Sequence, residues 1–479
     1  MAYRDLKQFV QDLRQAGELK EIDLPVSTDL EITEIVDRVV KKGGPALLFN
    51  KPGGMDVPLL INAYGSRKRM CMALGVEGFE TIQERLRTLL KTTPPVSMME
   101  KLKMLPRLAA MARFFPKRVD GGRAREVIEK DPDLGTLPIM KCWPRDGGKY
   151  ITLPLVFTKN PETGERNVGM YRMQVFDGRT TGMHWQKHKT GHQHCEAYRK
   201  RGEKMPVAVA LGGDPVLTYA ATAPLPEGLD EIAFAGFLRD KPVEQMRCET
   251  CDLEVPAHAE YILEGFVDPE ETRTEGPFGD HRGYYSLEDQ FPVFHLTCIT
   301  RAKDPVYPST IVGRPPQEDA WLGKATERIF LPLVQLTFPE IVDLHLPVEG
   351  VFHNFCIVSI RKTYPGQARK VACALWGTGQ IMFSKFIIVV DEEVNIQNPG
   401  EVLWRVGNNV APERDAFFMW GPIDELDHAS ERPCYGSKMG LDATKKTKME
   451  GFERDWPEDV AMDEETRLRI DELWSRLGI

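Results

Sequence analysis

Apolar residues at Leu6, Phe9, Val10 and Leu13 recur at helical spacing, and the pattern predicts an amphipathic helix that Gly17 ends. Short apolar runs such as PALLFN and VPLLINAYG then alternate with helical stretches, so an α/β unit is expected up to about residue 115. The pattern changes at FFPKRVDGGRAREV, where Pro116, Gly121 and Gly122 sit among charges. Beyond it, YITLPLVFT, NVGMYRMQVF, MPVAVALGG and FPVFHLTCIT read as strands punctuated by Pro, Gly and Asp, as in an antiparallel sheet or barrel. A second change falls at RAKDPVYPST. After it EDAWLGKATERIFLPLVQL reads as a long helix and KFIIVVDEEVN as a strong strand, so the last third is expected to be another α/β domain. The fold class is therefore mixed α/β (α+β), in units of residues 1–118, 119–305 and 306–479, without an internal repeat.

Length agrees with this division, because 479 residues exceed one ordinary core. With 42% hydrophobic and 28% charged residues and no biased tract, the composition is that of a globular protein. A formal net charge of -9 opposes a phosphate-binding surface, so no nucleic-acid partner is expected. No apolar run reaches the roughly 18 residues of a membrane span, and MAYRDLKQFVQDLRQ lacks the apolar core of a secretion signal. The reading is a cytoplasmic protein without stable membrane insertion. Nine cysteines, spread from Cys71 to Cys434, read as reduced thiols. Cys248 and Cys251 form a CxxC without a second pair nearby, and read as two small residues entering a strand.

The densest candidate chemistry is MHWQKHKTGHQH, which holds His184, His188, His192 and His194 of the chain's ten histidines. On a helix the first three would share a face, and two could bind a metal with a third ligand from elsewhere. Against this, no glutamate sits between His184 and His188 as in HExxH, and Thr190 and Gly191 are poor residues for a helix interior. From these residues a polar, partly exposed segment whose histidines cap, pack or face water is the favoured reading, with a mononuclear metal site as the alternative.

Four stretches together carry a resemblance. NVGMYRMQVF, EGPFGDHRGYY, VGRPPQEDAWLGKATERIFLPLVQLTFPEIVDLHLP and GSKMGLDATKK occur in one order over about 280 residues. In these motifs the chain resembles the UbiD family of decarboxylases that use prenylated flavin mononucleotide. The resemblance implies a central split β-barrel flavin-binding domain between the two α/β domains, the last serving oligomerisation and cofactor closure. It implies a divalent metal, Mn2+ or Mg2+, on the flavin phosphate, held by Asn167, His188 and Glu231. Such oxygen-rich donors with one imidazole suit those cations. K+ is a further option the family allows.

The resemblance further implies a catalytic set of Arg172, Glu275 and Asp280. Arginine can hold a carboxylate through its planar fork, and the Pro and Gly residues of EGPFGD can aim both acids into one pocket. Asp280 is expected to be raised by burial so that it can donate a proton, and Glu275 to be depressed beside the cation. Asn167 and Arg172 are an odd number apart on a strand, so a bulge near Gly169 is expected to bring both to one cofactor. Tyr171, Lys187, Thr222 and Lys438 match positions that line the cofactor.

The activity implied is reversible, non-oxidative decarboxylation of an aromatic, 4-hydroxybenzoate-type, or α,β-unsaturated acid. Asp280 stands where relatives acting on cinnamate-type acids have Glu, which leaves room for an aryl ring. A flavin prenyltransferase is the implied cofactor supplier. A homo-dimer or hexamer is implied, with apolar faces such as RIFLPLVQL available for self-association. A split-barrel flavin oxidoreductase and a non-catalytic metal-binding assembly protein are the alternatives.

Overall fold

A computed structural model describes residues 2–90, 112–186, 189–226 and 228–478. Lys187 and His188 lie outside the described residues, so the expectations placed on them have no structural counterpart here.

The first helix is Leu6–Gln15, with Leu6, Phe9, Val10 and Leu13 buried and the Asp5 side chain accepting from the Gln8 amide at its start. Gly17, at φ 71°, follows the helix end. The N-terminal sheet runs Leu19–Ile22, Ala46–Phe49, Leu59–Ile61, and its fourth strand, Tyr307–Pro308, returns from far along the chain to pair in parallel with Leu59–Leu60.

The middle of the chain forms an antiparallel sheet in the order Thr180–Gly182, Asp289–Arg301, Tyr261–Glu275, Met205–Leu211, Leu155–Lys159 and Arg166–Met170; Val127–Glu129 adds to the Asp289–Arg301 strand. Its longest hairpin pairs Tyr261–Glu275 with Asp289–Arg301, and register shifts after Glu264 and Val267 bend it. The hairpin's far end delivers Glu275 and the EGPFGDHRGYY loop to one edge of the sheet.

Cys248 and Cys251 do not enter a strand as expected. They occupy the turn between the antiparallel strands Glu244–Arg247 and Glu254–Pro256.

The C-terminal sheet is mixed: Ile341–His345, Phe355–Ile360, Phe386–Asp391, Tyr435–Asp442 and Ala416–Pro422, with parallel pairs inside and antiparallel pairs outside. The Asp319–Thr337 helix packs against both Phe79–Leu90 and Ile341–His345. Its apolar face is therefore spent within the chain: Ile329 joins the N-terminal core and Leu331 the C-terminal one. Of the RIFLPLVQL run expected to serve self-association, only Leu336 is exposed in the single chain. Among the described residues, no helix is long and apolar enough to cross a membrane.

Candidate active site

The strand Arg166–Met170 is a regular ladder against Leu155–Lys159, without a bulge at Gly169. The expected bulge is instead a break: the strand stops at Met170, Tyr171 and Arg172 leave the sheet, and pairing resumes at Met173 with another partner. Gly169 matters for a different reason. A Cβ there would lie 2.4 Å from Tyr171 Cε2, so the bare glycine is what lets the ring fold back over the strand. Gly169→Ala is expected to displace Tyr171 and to cost about 1–3 kcal/mol from overpacking, seen as a lower thermal midpoint.

The break points the Arg172 side chain at two acids from the hairpin loop. Arg172 Nε donates to Glu275 Oε1 at 2.8 Å, Nη1 donates to Asp280, and Nη2 donates to Ser286 Oγ at 3.2 Å. The guanidinium also lies 4.7 Å from the Phe278 ring centre. All three charged groups are nearly buried, with side-chain exposures of 10% for Arg172, 1% for Glu275 and 9% for Asp280. Such a cluster is costly unless paired, which is why geometry here is tightly fixed.

The loop is pinned from several sides. Asp146 accepts from the Gly279 amide at 2.8 Å, Gln174 Oε1 from the Gly276 amide at 2.7 Å, and Tyr150 Oη donates to the Gly276 carbonyl at 3.0 Å. Gly279 is required by close approach, since a Cβ would stand 2.2 Å from Trp143 Cδ1. The turn chemistry read from EGPFGD thus works through packing at this position.

Burial alone would raise Glu275, but Arg172 and His184 outweigh it and hold the carboxyl below its usual range, as expected. For Asp280 the expectation of a raised value is corrected. Burial opposes ionisation there, yet His281 and Arg172 together depress the carboxyl well below the usual range. His281 Nδ1 lies 2.5 Å from Asp280 Oδ1, and the His281 amide donates to the same oxygen at 2.6 Å. Burial lowers His281, but Asp280 reverses this and raises it. Its other nitrogen lies 3.1 Å from His353 Nε2 of the C-terminal domain. Burial pushes Asp319, close to the same pair, up to about 7.

This pair has a defined pH signature. The depressed Asp280 contributes stability above its unfolded pKa of about 3.9, lost as pH falls through the folded value. The raised His281 contributes stability that is full below its unfolded pKa of about 6.5 and is lost as pH rises through the folded value. Both contributions are therefore complete between about pH 4 and 6.5. His281→Gln is expected to lower the thermal midpoint most in that window, with the deficit shrinking in alkaline buffer.

The histidine run resolves differently from a shared helix face. The helix Thr190–Arg201 begins after His184, so His184, His192 and His194 do not lie along one helix. His184 Nδ1 is 3.0 Å from Glu275 Oε1 and its ring lies 4.3 Å from that of Phe291, a site contact that the sequence reading missed. His194 is buried and its Nδ1 is 2.9 Å from Thr158 Oγ1, and burial lowers it. His192 is half-buried near Glu196.

Asn167, on the strand before the break, is brought near Glu231 through its neighbour Val168. Glu231 starts the helix Glu231–Arg239, and its Oε2 accepts from the Val168 amide at 3.1 Å, next to Asn167. The Tyr171 hydroxyl hydrogen-bonds the Asn167 side chain, and burial raises that phenol. Burial also pushes Glu231 up to about 7, while Asp230 beside it takes the charge of Arg166. Glu231 is half-buried, and its carboxylate together with the Asn167 amide oxygen offers the kind of oxygen donors that a hard divalent cation takes. Glu275 Oε2, buried and without a hydrogen-bond partner among the described residues, leaves an open acceptor in the site.

The two further residues expected at the cofactor make hydrogen bonds to backbone carbonyls of the chain. Lys438 is buried in the Tyr435–Asp442 strand, where its ammonium donates to the Met382 carbonyl and burial lowers it to about 8. Thr222 Oγ1 donates to the Tyr219 carbonyl at 2.8 Å at the end of a short helix.

Three family models match in order: the N-terminal domain of 3-octaprenyl-4-hydroxybenzoate carboxy-lyase at residues 10–89, its Rift-related domain at 117–315, and its C-terminal domain at 320–443. An uncharacterised protein of Archaeoglobus fulgidus is 52% identical over 479 residues, covering 100% of this chain and 99% of the relative. One of Aquifex aeolicus is 53% identical over 481 residues, with the same coverage. Among solved structures, the Sedimentibacter hydroxybenzoicus vanillic acid decarboxylase in closed form is similar with a TM-score of 0.86 at 28% identity, covering 99% of each chain. The UbiD-class enzyme HmfF from Pelotomaculum thermopropionicum, in complex with FMN, has a TM-score of 0.82 at 28% identity, covering 98% of this chain and 99% of that one. An evolved dimeric form of HmfF, in complex with prFMN, gives 0.79 at 28% identity, with 95% and 97% coverage. These matches set aside the oxidoreductase and assembly-protein alternatives, and the chain belongs to the UbiD family of decarboxylases, enzymes of the carboxy-lyase class.

Proposed function

We propose that the protein decarboxylates an aromatic carboxylic acid, reversibly and without net oxidation, with prenylated FMN as cofactor. The observation that carries this reading is the Arg172 guanidinium suspended between Glu275 and Asp280 in a buried site. Prenylated FMN, when bound, supplies the electron sink that no side chain provides. Asn167 and Glu231, with His188 as the third residue, would hold Mn2+ or Mg2+ at the cofactor phosphate, and Tyr171 would support Asn167.

Arg172 orients the substrate carboxylate through its fork, and the closed surroundings keep water from the reacting carbon. The bond from that carbon to the carboxylate breaks, carbon dioxide leaves, and the carbon takes a proton from Asp280. Asp280 is ionised when it faces Arg172 and His281, so it needs a proton reserve. His281 supplies one: the two groups titrate as a pair, and engagement of Arg172 by the substrate relaxes its hold on Asp280. Glu275 stays ionised and fixes Arg172, with His184 at its flank.

The test is expression together with a flavin prenyltransferase, followed by a panel of hydroxybenzoate-type and α,β-unsaturated acids. Carbon dioxide release from an aryl acid without NAD(P)H consumption is expected. Activity that needs NAD(P)H, or none across the panel from prenylated-FMN-loaded protein, overturns the reading. Glu231→Gln is expected to weaken flavin retention by about 10–100-fold, the range seen when a metal site loses a supporting group. Flavin content after gel filtration measures it.

A further inference from the structure

The CxxC turn between Glu244–Arg247 and Glu254–Pro256 is not used by this chemistry. Beneath it lies Glu264 of the long Tyr261–Glu275 strand, fully buried at 0% exposure. One ligand atom from each of Cys248, Cys251 and Glu264 lies within 4.8 Å of the others. Cys248 is buried and Cys251 half-buried, so the cluster is open to solvent on the Cys251 side.

The environment of Glu264 is unusual for a buried acid. Its Oε1 accepts from the Glu249 amide at 2.9 Å, and its Oε2 accepts from the Thr250 amide at 2.6 Å and the Thr250 hydroxyl at 2.7 Å. These donors are neutral, and among the described residues no cation forms an ion pair with it. The residues between the two cysteines are thus wrapped on the carboxylate, which holds both sulfurs beside it. A carboxylate offers about four lone-pair directions, so three accepted bonds leave one for a further partner.

We propose that Cys248, Cys251 and Glu264 form a binding site for a zinc-class divalent cation, separate from the metal expected at the flavin phosphate. Two sulfurs and one oxygen match the borderline-soft character of Zn2+ and disfavour Mn2+ or Mg2+, which prefer oxygen. Amide bonds to the carboxylate provide the outer support that fixes a ligand in place. Three protein ligands leave a fourth tetrahedral position for water. Binding deprotonates both thiols, and the two protons pass to solvent. The site ties the turn to the long strand at the end opposite Glu275.

The test uses full-length, cofactor-loaded protein and Co2+ as the probe. A thiolate-to-cobalt charge-transfer band with tetrahedral d–d absorption is expected, saturating at one such ion per chain. Cobalt at the flavin phosphate has no sulfur ligand and gives no such band. Cys251→Ser, at a half-exposed turn position, is expected to abolish the band. Glu264→Gln is expected to lower Co2+ affinity by about 10-fold or more. If Glu264→Gln fails to fold, Cys251→Ser carries the test. The proposal is overturned if fully reduced protein shows no charge-transfer band, or if Cys251→Ser retains it. A Cys248–Cys251 disulfide whose reduction yields no cobalt band equally overturns it.

Discussion

Arg172→Ala is expected to lower kcat/KM for decarboxylation by about 10³-fold, at the upper end of the loss from removing one preorganised electrostatic group. The same change strips the partner from two buried acids. Breaking a buried ion pair from one side costs about 3–5 kcal/mol, so the thermal midpoint falls as well. Arg172→Lys separates the effects. A lysine keeps a charge for Glu275 and Asp280 but loses the fork that touches Glu275, Asp280 and Ser286 at once. It is expected to recover much of the stability while leaving turnover depressed by about 10²-fold, the scale of an orientation error at the reacting centre. The measurement is carbon dioxide release from prenylated-FMN-loaded protein, with the absorbance spectrum confirming that cofactor remains. Turnover by Arg172→Ala within a few-fold of the parent would remove Arg172 from the mechanism.

Asp280→Asn is expected to reduce kcat by about 10²–10⁴-fold, the usual contribution of a positioned proton donor. Asparagine is nearly isosteric and can still meet Arg172 and His281 by hydrogen bonds, so substrate affinity should move far less. The charge on His281 depends on Asp280, which raises it. In the parent, activity is therefore expected to persist above the ordinary histidine range and to decline only as pH rises through the raised His281 value. Removing the Asp280 charge returns His281 toward about 6.5 or below, and the alkaline limb of residual activity moves to lower pH. His281→Gln separates the roles, since it removes the reserve and leaves the donor. If Asp280→Asn turns over normally, or its alkaline limb stays in place, the proton does not come by this route.

The sequence made some of this legible because the signals are local or motif-bound. The Leu6–Gln15 helix follows from its four apolar positions, and Arg172, with Glu275 and Asp280 103 and 108 residues further on, is implied as one set only by the motifs shared with the UbiD family. What sequence did not reveal depends on neighbours in space. The depression of Asp280 depends on His281, the next residue in the chain, whose role shows only once its ring is seen on the carboxylate. His184 gained its place only because the Tyr261–Glu275 strand ends beside it. Strand spacing predicts a bulge at Gly169, whereas the glycine is required by the Tyr171 ring above it. Glu264 is an unremarkable strand glutamate until the CxxC turn folds over it.

The fourth strand of the N-terminal sheet has a consequence for biosynthesis. Leu59–Ile61 finds its outer neighbour only in Tyr307–Pro308, after the whole central sheet has been made. At about 5–20 residues per second, the first domain waits on the order of tens of seconds with an uncovered edge of three buried apolar residues. A nascent chain arrested before Tyr307 is thus exposed to edge-to-edge association. The central domain therefore acts, during synthesis, as the spacer that decides when the first domain can close.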